Sequence, residues 1–227
     1  MTKDEARALI REKKKTLTAE YRAQANAEIA TRFLCYPIFQ QVDSIFCYVN
    51  TEDEPSTREI IETAWQMGKL VTVPRCIPGP EHRMEAVQIM SWDDLVPGAY
   101  GLLEPKEDLP VVDAYKIALA VVPCIAADRY GRRLGHGAGY YDRFLQGQMM
   151  YTYCLCYGAQ MLPEVPVDAR DVTMNRVFSE DKVYNPRLAS DDLREELAEE
   201  LPAGGICAFL KRLCDEVFGE ENLVGQI

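Results

Sequence analysis

Histidine is scarce in this chain: His82 and His136 are the only two among 227 residues. None of the eight cysteines falls into a Cys-x-x-Cys pair, so the ligand spacing of a zinc site is missing. No Ser/His/Asp or Cys/His arrangement stands out, which argues against a nucleophilic triad. Positive charge is in deficit. Lys and Arg number 25 against 36 Asp and Glu, a formal net charge of −11, and this speaks against a general nucleic-acid binder. No apolar run is long enough to cross a bilayer. The opening Met-Thr-Lys-Asp-Glu has no signal-peptide core, so a cytoplasmic protein with reduced thiols is expected. Cys154 and Cys156, two apart in an expected strand, would share one face and pack in the core. Internal repeats and low-complexity tracts are absent too.

What is present suits a globular protein. Apolar residues make up 48% and charged residues 27%, an ordinary balance, and the length allows one domain or a domain with an appendage. Strand-like stretches at 43–49, 70–74, 84–90, 117–122, 151–157 and 172–178 alternate with helix-like ones. The helices are an N-terminal segment, one after a cap at Thr18, and stretches at 57–68 and 140–146. Such alternation predicts a three-layer α/β domain with a largely parallel sheet. The nearly unbroken apolar run 117–122 suits a central strand buried on both faces. Thr57 is a candidate N-cap and Gly68 a candidate C-terminal cap for the helix between them.

One stretch organises the rest: Arg133-Leu134-Gly135-His136-Gly137-Ala138-Gly139-Tyr140-Tyr141-Asp142-Arg143. Glycine lets backbone amides approach a bound group closely and adopt positive φ. A glycine loop that opens a helix points N–H groups at an anion, with the helix dipole adding to the pull. One glycine would read as a turn. Three at alternate positions, flanked by arginine, point to a phosphate site. The loop lacks the Gly-Lys-Ser/Thr ending of a Walker A sequence and the spacing of the dinucleotide fingerprint. Asp142, in the first turn of the expected helix, complements the dipole and equally suits a Mg²⁺ ligand beside substrate phosphates. Lys3 and Arg7, four apart, share a helix face. Such a pair can clamp a polyphosphate, although from the residues alone a solvated face is the plainer reading. Arg75, expected at the exit of the 70–74 strand, is a candidate for a substrate carboxylate or phosphate.

The glycine stretch, with its lead-in Pro123-Cys124-Ile125-Ala126-Ala127-Asp128-Arg129-Tyr130-Gly131, resembles the signature of the 5-formyltetrahydrofolate cyclo-ligase family. That family carries Pro-x-x-Ala-x-Asp-x-x-Gly followed by Arg-Leu-Gly-x-Gly-x-Gly-Tyr-Tyr-Asp. The resemblance runs from Lys3 to about Ser179 and includes the Gly-x-x-Glu-Pro segment ending at Pro105. It implies a Rossmann-like fold shared with sugar-phosphate isomerases and CoA transferases. It also implies ATP-dependent closure of 5-formyltetrahydrofolate to 5,10-methenyltetrahydrofolate, with ATP and Mg²⁺ required. By the same resemblance Lys3, Arg7 and the stretch from Arg133 through Leu134, Gly135, His136, Gly137, Ala138, Gly139 and Tyr140 to Tyr141 bind ATP. Arg133 and Asp142 carry the chemistry, and Asp142 holds the metal. Val49 and Glu54 touch the folate together with His136, Gly137, Ala138, Gly139 and Tyr140. A carboxylate at Glu54 suits either the N–H face of the pterin or the formamide.

Two departures from the family pattern stand out. The aspartate that completes the metal site matches Asn175 here, and His136 and Ala138 fill variable positions between the glycines. Two other functions keep the scaffold: a folate- or nucleotide-binding protein without catalysis, and a sugar-phosphate isomerase that needs no ATP. Small molecules are the expected partners, with no nucleic acid or membrane, and the expected state is a monomer or homodimer. The expected division is a cyclo-ligase-like domain over 1–185 and an acidic helical extension over 186–227. In the extension, Ser190 would cap a helix bearing Leu193, Leu197 and Leu201. After a break at 202–205, a second helix would align Ile206, Phe209, Leu210, Leu213 and Val217.

Overall fold

A computed structural model describes residues 1–77, 79–98 and 103–188. Gly101, Leu102 and the expected helices of the C-terminal extension lie outside the described residues. Helix α1 (Lys3–Lys15) starts where Thr2 and Glu5 cap each other's backbone N–H groups, at 3.2 and 2.7 Å, a reciprocal box that satisfies two otherwise orphan donors. Helix α2 (Ala19–Leu34) is capped by Thr18, whose hydroxyl accepts from Tyr21 N–H at 3.1 Å. A short helix α3 (Pro37–Gln41) leads into strand β1 (Ser44–Cys47).

Helix α4 (Arg58–Gln66) corrects one expectation and bears out another. Thr57 precedes it but does not cap it with its side chain. Its hydroxyl donates instead to the Tyr48 carbonyl at 2.8 Å, tying the helix start to the end of β1. Gly68 ends the helix as expected. At φ +70° it donates to Trp65 O while Lys69 donates to Ala64 O, both at 2.9 Å, which is a Schellman closure.

The chain continues through β2 (Leu70–Ile77), β3 (Arg83–Gln88), β4 (Leu95–Pro97), β5 (Leu103–Pro105), β6 (Val111–Val112) and β7 (Leu119–Val122). A hairpin of β8 (Ala126–Ala127) and β9 (Arg133–Leu134) follows, then α5 (Tyr140–Leu145), β10 (Tyr151–Leu155), β11 (Arg176–Phe178) and β12 (Val183–Tyr184). Eight strands form one sheet in the order β12-β11-β10-β7-β1-β2-β3-β6. Strands β11, β10, β7, β1 and β2 run parallel, and β12, β3 and β6 extend the edges antiparallel.

Alternate strand residues feed two cores, as strand geometry requires. Ile45, Val71, Leu119, Val121 and Leu155 face α2, α3 and α4, with Phe33, Phe39 and Ile61 filling the space. Phe46, Ala120, Val122 and Cys154 face the other way, toward Leu145 of α5 and the partly buried Phe144. Helices on both faces make the expected three layers. All four residues of β7 are buried, as the apolar run predicts. Cys154 and Cys156 lie in the same core with Cys124.

Taken in chain order, the parallel strands give an order of the 2-1-3-4-5 kind. Its connections leave in opposite directions at β1 and β7, and ligands bind outside the carboxyl ends of strands at such a switch point. The β1 exit delivers Val49 to Glu54; the β7 exit delivers Pro123, the β8–β9 hairpin and the glycine stretch. Gly131 closes that hairpin at φ +79°, where an added Cβ would lie 2.4 Å from Met174 O and 2.6 Å from Pro186 Cγ. Left-handed strain and the clash act together, so Gly131→Ala should lower stability by about 3 kcal/mol. Chemical denaturation checks this, and a loss below about 1 kcal/mol would contradict the assignment.

Candidate active site

Helix α1 spans the site with one face. Lys3, Arg7, Ile10 and Lys14 fall at helical spacing along it, and Ala6 and Ile10 are fully buried as its apolar anchors. Arg7 Nε donates to the Gly135 carbonyl at 3.0 Å, and its other end pairs with Asp4 at 2.6 Å. Lys14 Nζ donates to the Asp53 carbonyl at 3.0 Å. Arg22 of α2 holds the same acidic loop, through Glu52 O at 2.6 Å and the Asp53 carboxylate at 2.9 Å. The sequence therefore places Lys3 and Arg7 correctly on one face, but their charges have different neighbours. Lys3 Nζ sits 2.9 Å from Asp168 and 2.6 Å from Asp171. Burial would lower the pKa of Lys3, but these two carboxylates outweigh it and hold the ammonium above its ordinary value.

The glycine loop has the geometry of an anion cradle. Gly137 and Gly139 take φ +109° and +72°, which disfavours any residue with a Cβ. An added Cβ at Gly137 would lie 3.5 Å from Arg7 Nη2, and at Gly139 3.0 Å from Arg143 Nη1. Arg143 braces the loop by donating to Ala138 O at 2.7 Å. Arginines thus occupy the carbonyls of Gly135 and Ala138. No hydrogen bond among the described residues uses the backbone N–H groups from Gly135 to Gly139. Helix α5 has only six residues, so its dipole is a small contribution beside the nearby guanidinium charges.

Arg133 carries a buried and incompletely paired charge. It is 6% exposed, with one Nη donating to Asp142 Oδ1 at 2.9 Å and its plane 5.7 Å from the Tyr141 ring centre. Its Nε is buried without a partner. Asp142 Oδ1 also accepts from Val172 N–H at 3.1 Å, and no hydrogen bond among the described residues uses Oδ2. Leu134 is buried beside Ala6 and Ile10 and fixes the start of the loop. Tyr141 leans edge-on against Phe46. Tyr140, half-buried, meets the His82 ring edge-on at 5.1 Å, and His82 holds φ +47° in the turn before β3.

Beside the loop, at the β1 exit, Val49 is partly buried against the core. Glu54, 9% exposed, accepts from the Thr51 N–H at 3.0 Å and the Thr51 hydroxyl at 3.1 Å. His136 Nε2 lies 3.8 Å from its other oxygen, too far for a hydrogen bond but close enough for charge attraction. Burial would push the Glu54 carboxyl up, yet His136 and Thr51 outweigh it and hold the group below its ordinary 4.5. A depressed folded-state pKa gives stability that is present above the unfolded value and lost as pH falls through the folded one. Glu54→Gln should therefore narrow the stability lost between about pH 6 and about pH 3, followed by urea midpoints. An acid limb identical to that of the parent would show that Glu54 is not held ionised.

One expectation needs correction. Arg75 lies inside β2 rather than at its exit, because β3 pairs alongside it. Its guanidinium is taken by Glu85 at 2.9 Å and by the carbonyls of Lys106 and Glu107. Asn175, which stands where the family pattern has an aspartate, spends its side-chain oxygen within the sheet. Its Oδ1 accepts from the Thr152 N–H at 2.8 Å and the Thr152 hydroxyl at 3.1 Å, clamping the starts of β10 and β11, opposite the carboxyl ends. The group brought to Asp142 from this part of the chain is the Val172 backbone N–H, while the neighbouring Asp171 carboxylate pairs with Lys3. Asp168, Asp171 and Lys14 were not singled out by the sequence. Lys14 was legible as the next member of the Lys3-Arg7 face; the two aspartates carried no local signal.

The chain is similar to known proteins over most of its length. A sequence model described as the 5-formyltetrahydrofolate cyclo-ligase family matches residues 1–180. The chain is 29% identical to a 5-formyltetrahydrofolate cyclo-ligase of Escherichia coli over 180 residues, covering 78% of this chain and 99% of that one. It is 32% identical to one of Saccharomyces cerevisiae, over 60% of this chain and 75% of that one. The solved 5,10-methenyltetrahydrofolate synthetase of Aquifex aeolicus superposes with a TM-score of 0.73 at 25% identity, covering 82% of this chain and 94% of the other. A synthetase from Mycoplasma pneumoniae, at TM-score 0.64 and 15% identity over 79% of this chain and 99% of that one, shares the fold. With the signature, the switch point in the sheet order and the match over most of its length together, the chain belongs to the 5-formyltetrahydrofolate cyclo-ligase family.

Proposed function

We propose that this cleft takes ATP and 5-formyltetrahydrofolate and closes the folate to 5,10-methenyltetrahydrofolate, releasing ADP and phosphate. A formamide carbon is a poor electrophile and its oxygen a poor leaving group. Transfer of the γ-phosphoryl to the formyl oxygen makes that oxygen part of a phosphate. The folate N10 then attacks the activated carbon, forming the C–N bond and losing its proton, and the C–O bond breaks with its electron pair leaving on phosphate. Phosphoryl transfer asks the protein mainly for position and charge neutralisation, which needs no nucleophilic side chain.

The observation that carries this reading is Arg133: a buried guanidinium with an unpaired Nε, beside a run of unused backbone N–H groups. A cation desolvated with so few partners is costly, and an anion relieves that cost. In this reading Arg133 and the amides from Gly135 to Gly139 hold the transferring phosphoryl group. Arg7 flanks the phosphates, and Lys3 holds the 168–171 loop against them. Val49, Glu54 and Tyr140 border the folate, with His136 between the two ligands.

Among the described residues no group of three or more His, Cys, Asp or Glu is placed to hold a metal. That suits Mg²⁺, which takes one or two carboxylates plus substrate phosphates. Asp142 would hold it through its unengaged Oδ2, and the ion when bound would neutralise phosphate charge. The reading needs only small-molecule partners and is compatible with a monomer or homodimer in the cytoplasm. Mixing the protein with 5-formyltetrahydrofolate, Mg²⁺ and ATP and following methenyl-folate absorbance tests it. Signal that depends on ATP is expected; folate binding without turnover would favour a binding protein instead.

A further inference from the structure

Buried polar atoms without partners mark positions that a ligand or a water completes. Among the described residues such side-chain atoms belong to three residues: His82 Nδ1, Arg133 Nε, and both amide atoms of Gln160. Arg133 lies in the anion cradle and His82 packs on Tyr140, so two of the three already border the site. Gln160 is fully buried and alone leaves a donor and an acceptor unpaired together. It ends the short turn Gly158–Gln160 beyond β10. That turn and the residues that follow it touch two of the elements that carry the site. Helix α1 packs on it. Met161 bridges to Ala127 and Leu162 N–H donates to Ala127 O at 2.9 Å, which joins it to the β8–β9 hairpin. Tyr157 O accepts from Gln160 N–H at 2.8 Å, while the Tyr157 hydroxyl lies between two acceptors, Asn26 Oδ1 at 2.9 Å and the Glu54 carbonyl at 3.1 Å. A glutamine serving only the core would spend its amide on a neighbour, and an apolar residue of the same length would fill the space at less cost.

We propose that Gln160 is a substrate-binding residue whose carboxamide pairs with a heterocycle edge carrying an adjacent donor and acceptor. The pterin of the folate offers a ring carbonyl beside an N–H; the adenine of ATP offers an amino group beside a ring nitrogen. The link through Tyr157 to Glu54 favours the pterin. Because the side chain is enclosed, pairing requires α1 to shift as the substrate seats. This inference rests on the cyclo-ligase reading of the site.

Gln160→Met keeps the length and removes both polar atoms. The ligand-free melting midpoint should hold or rise. KM for 5-formyltetrahydrofolate should rise by about tenfold or more, with KM for ATP unmoved and kcat within about threefold. A rise confined to ATP would support the same pairing and assign it to adenine. If neither KM moves, or only kcat falls, the proposal is overturned. Should the variant fail to fold, the parent protein decides the matter. A pterin methylated on the N–H beside its carbonyl should then inhibit about tenfold more weakly than plain pterin, or ATP methylated on its amino group should show a KM higher by a similar factor. Insensitivity to both methyl groups overturns the proposal. Activity of the parent protein is measured first, so failure of the cyclo-ligase reading is seen separately.

Discussion

Arg133→Ala should lower kcat/KM by about 10³-fold, on the scale of removing an oxyanion-hole donor or an arginine finger. The guanidinium is buried, already aligned by Asp142 at 2.9 Å, and keeps an unpaired Nε. Such a preorganised cation gains most when charge shifts during transfer, so the loss should fall mainly on kcat. Folding should suffer less. Asp142 keeps its bond from Val172 N–H and its side chain is 19% exposed, so the carboxylate is not stranded in a dry core. A stability loss of about 2 kcal/mol is expected, below that of breaking a fully buried pair. Arg133→Lys should recover little, because a single ammonium cannot serve Asp142 and a phosphate together as the planar fork does. Steady-state rates with urea denaturation of the same variants check this. A fall below about tenfold in kcat/KM would remove Arg133 from the chemistry.

Asp142→Asn should cost about 10²-fold in kcat and raise the Mg²⁺ concentration for half-maximal rate by about tenfold. The amide oxygen can still accept from Arg133 and from Val172 N–H, so the loop stays in place while the charge is lost. That separates two roles of Asp142. Were it only a brace for Arg133, the rate would hold and the Mg²⁺ dependence would not move. A shifted Mg²⁺ curve with an unchanged melting midpoint identifies the carboxylate as a metal ligand.

Much of the fold and of the glycine loop's geometry is legible in the sequence, and the failures share one physical origin. The apolar run around β7 is its own signal, since only a strand buried on both faces has no polar side. Gly68 and Thr18 are local too, because caps are settled within a few residues of chain. The glycines at 137 and 139 were readable because positive φ excludes other residues. Arg75 was misplaced because the length of β2 depends on its antiparallel partner β3, a pairing that periodicity along a single strand does not reveal. Thr57 looked like a cap by type and position, yet the Tyr48 carbonyl, nine residues back, claimed its hydroxyl. Asn175 is matched by motif, but which groups reach Asp142 depends on how the 168–172 segment crosses the β8–β9 hairpin. That crossing is fixed by Met174 N–H donating to Gly131 O at 2.8 Å, a contact between residues far apart in the chain. Gln160 gave no sign at all, since its meaning lies in partners it does not have.

The central claim is that the protein spends ATP on the formyl oxygen itself. Its most direct test is to label that oxygen of 5-formyltetrahydrofolate with a heavy isotope, run the reaction in ordinary water, and weigh the phosphate released. Phosphorylation of the formyl group predicts one labelled oxygen in each phosphate. Unlabelled phosphate, with the heavy oxygen recovered in water, would mean that ATP is hydrolysed apart from the ring closure and would contradict the account.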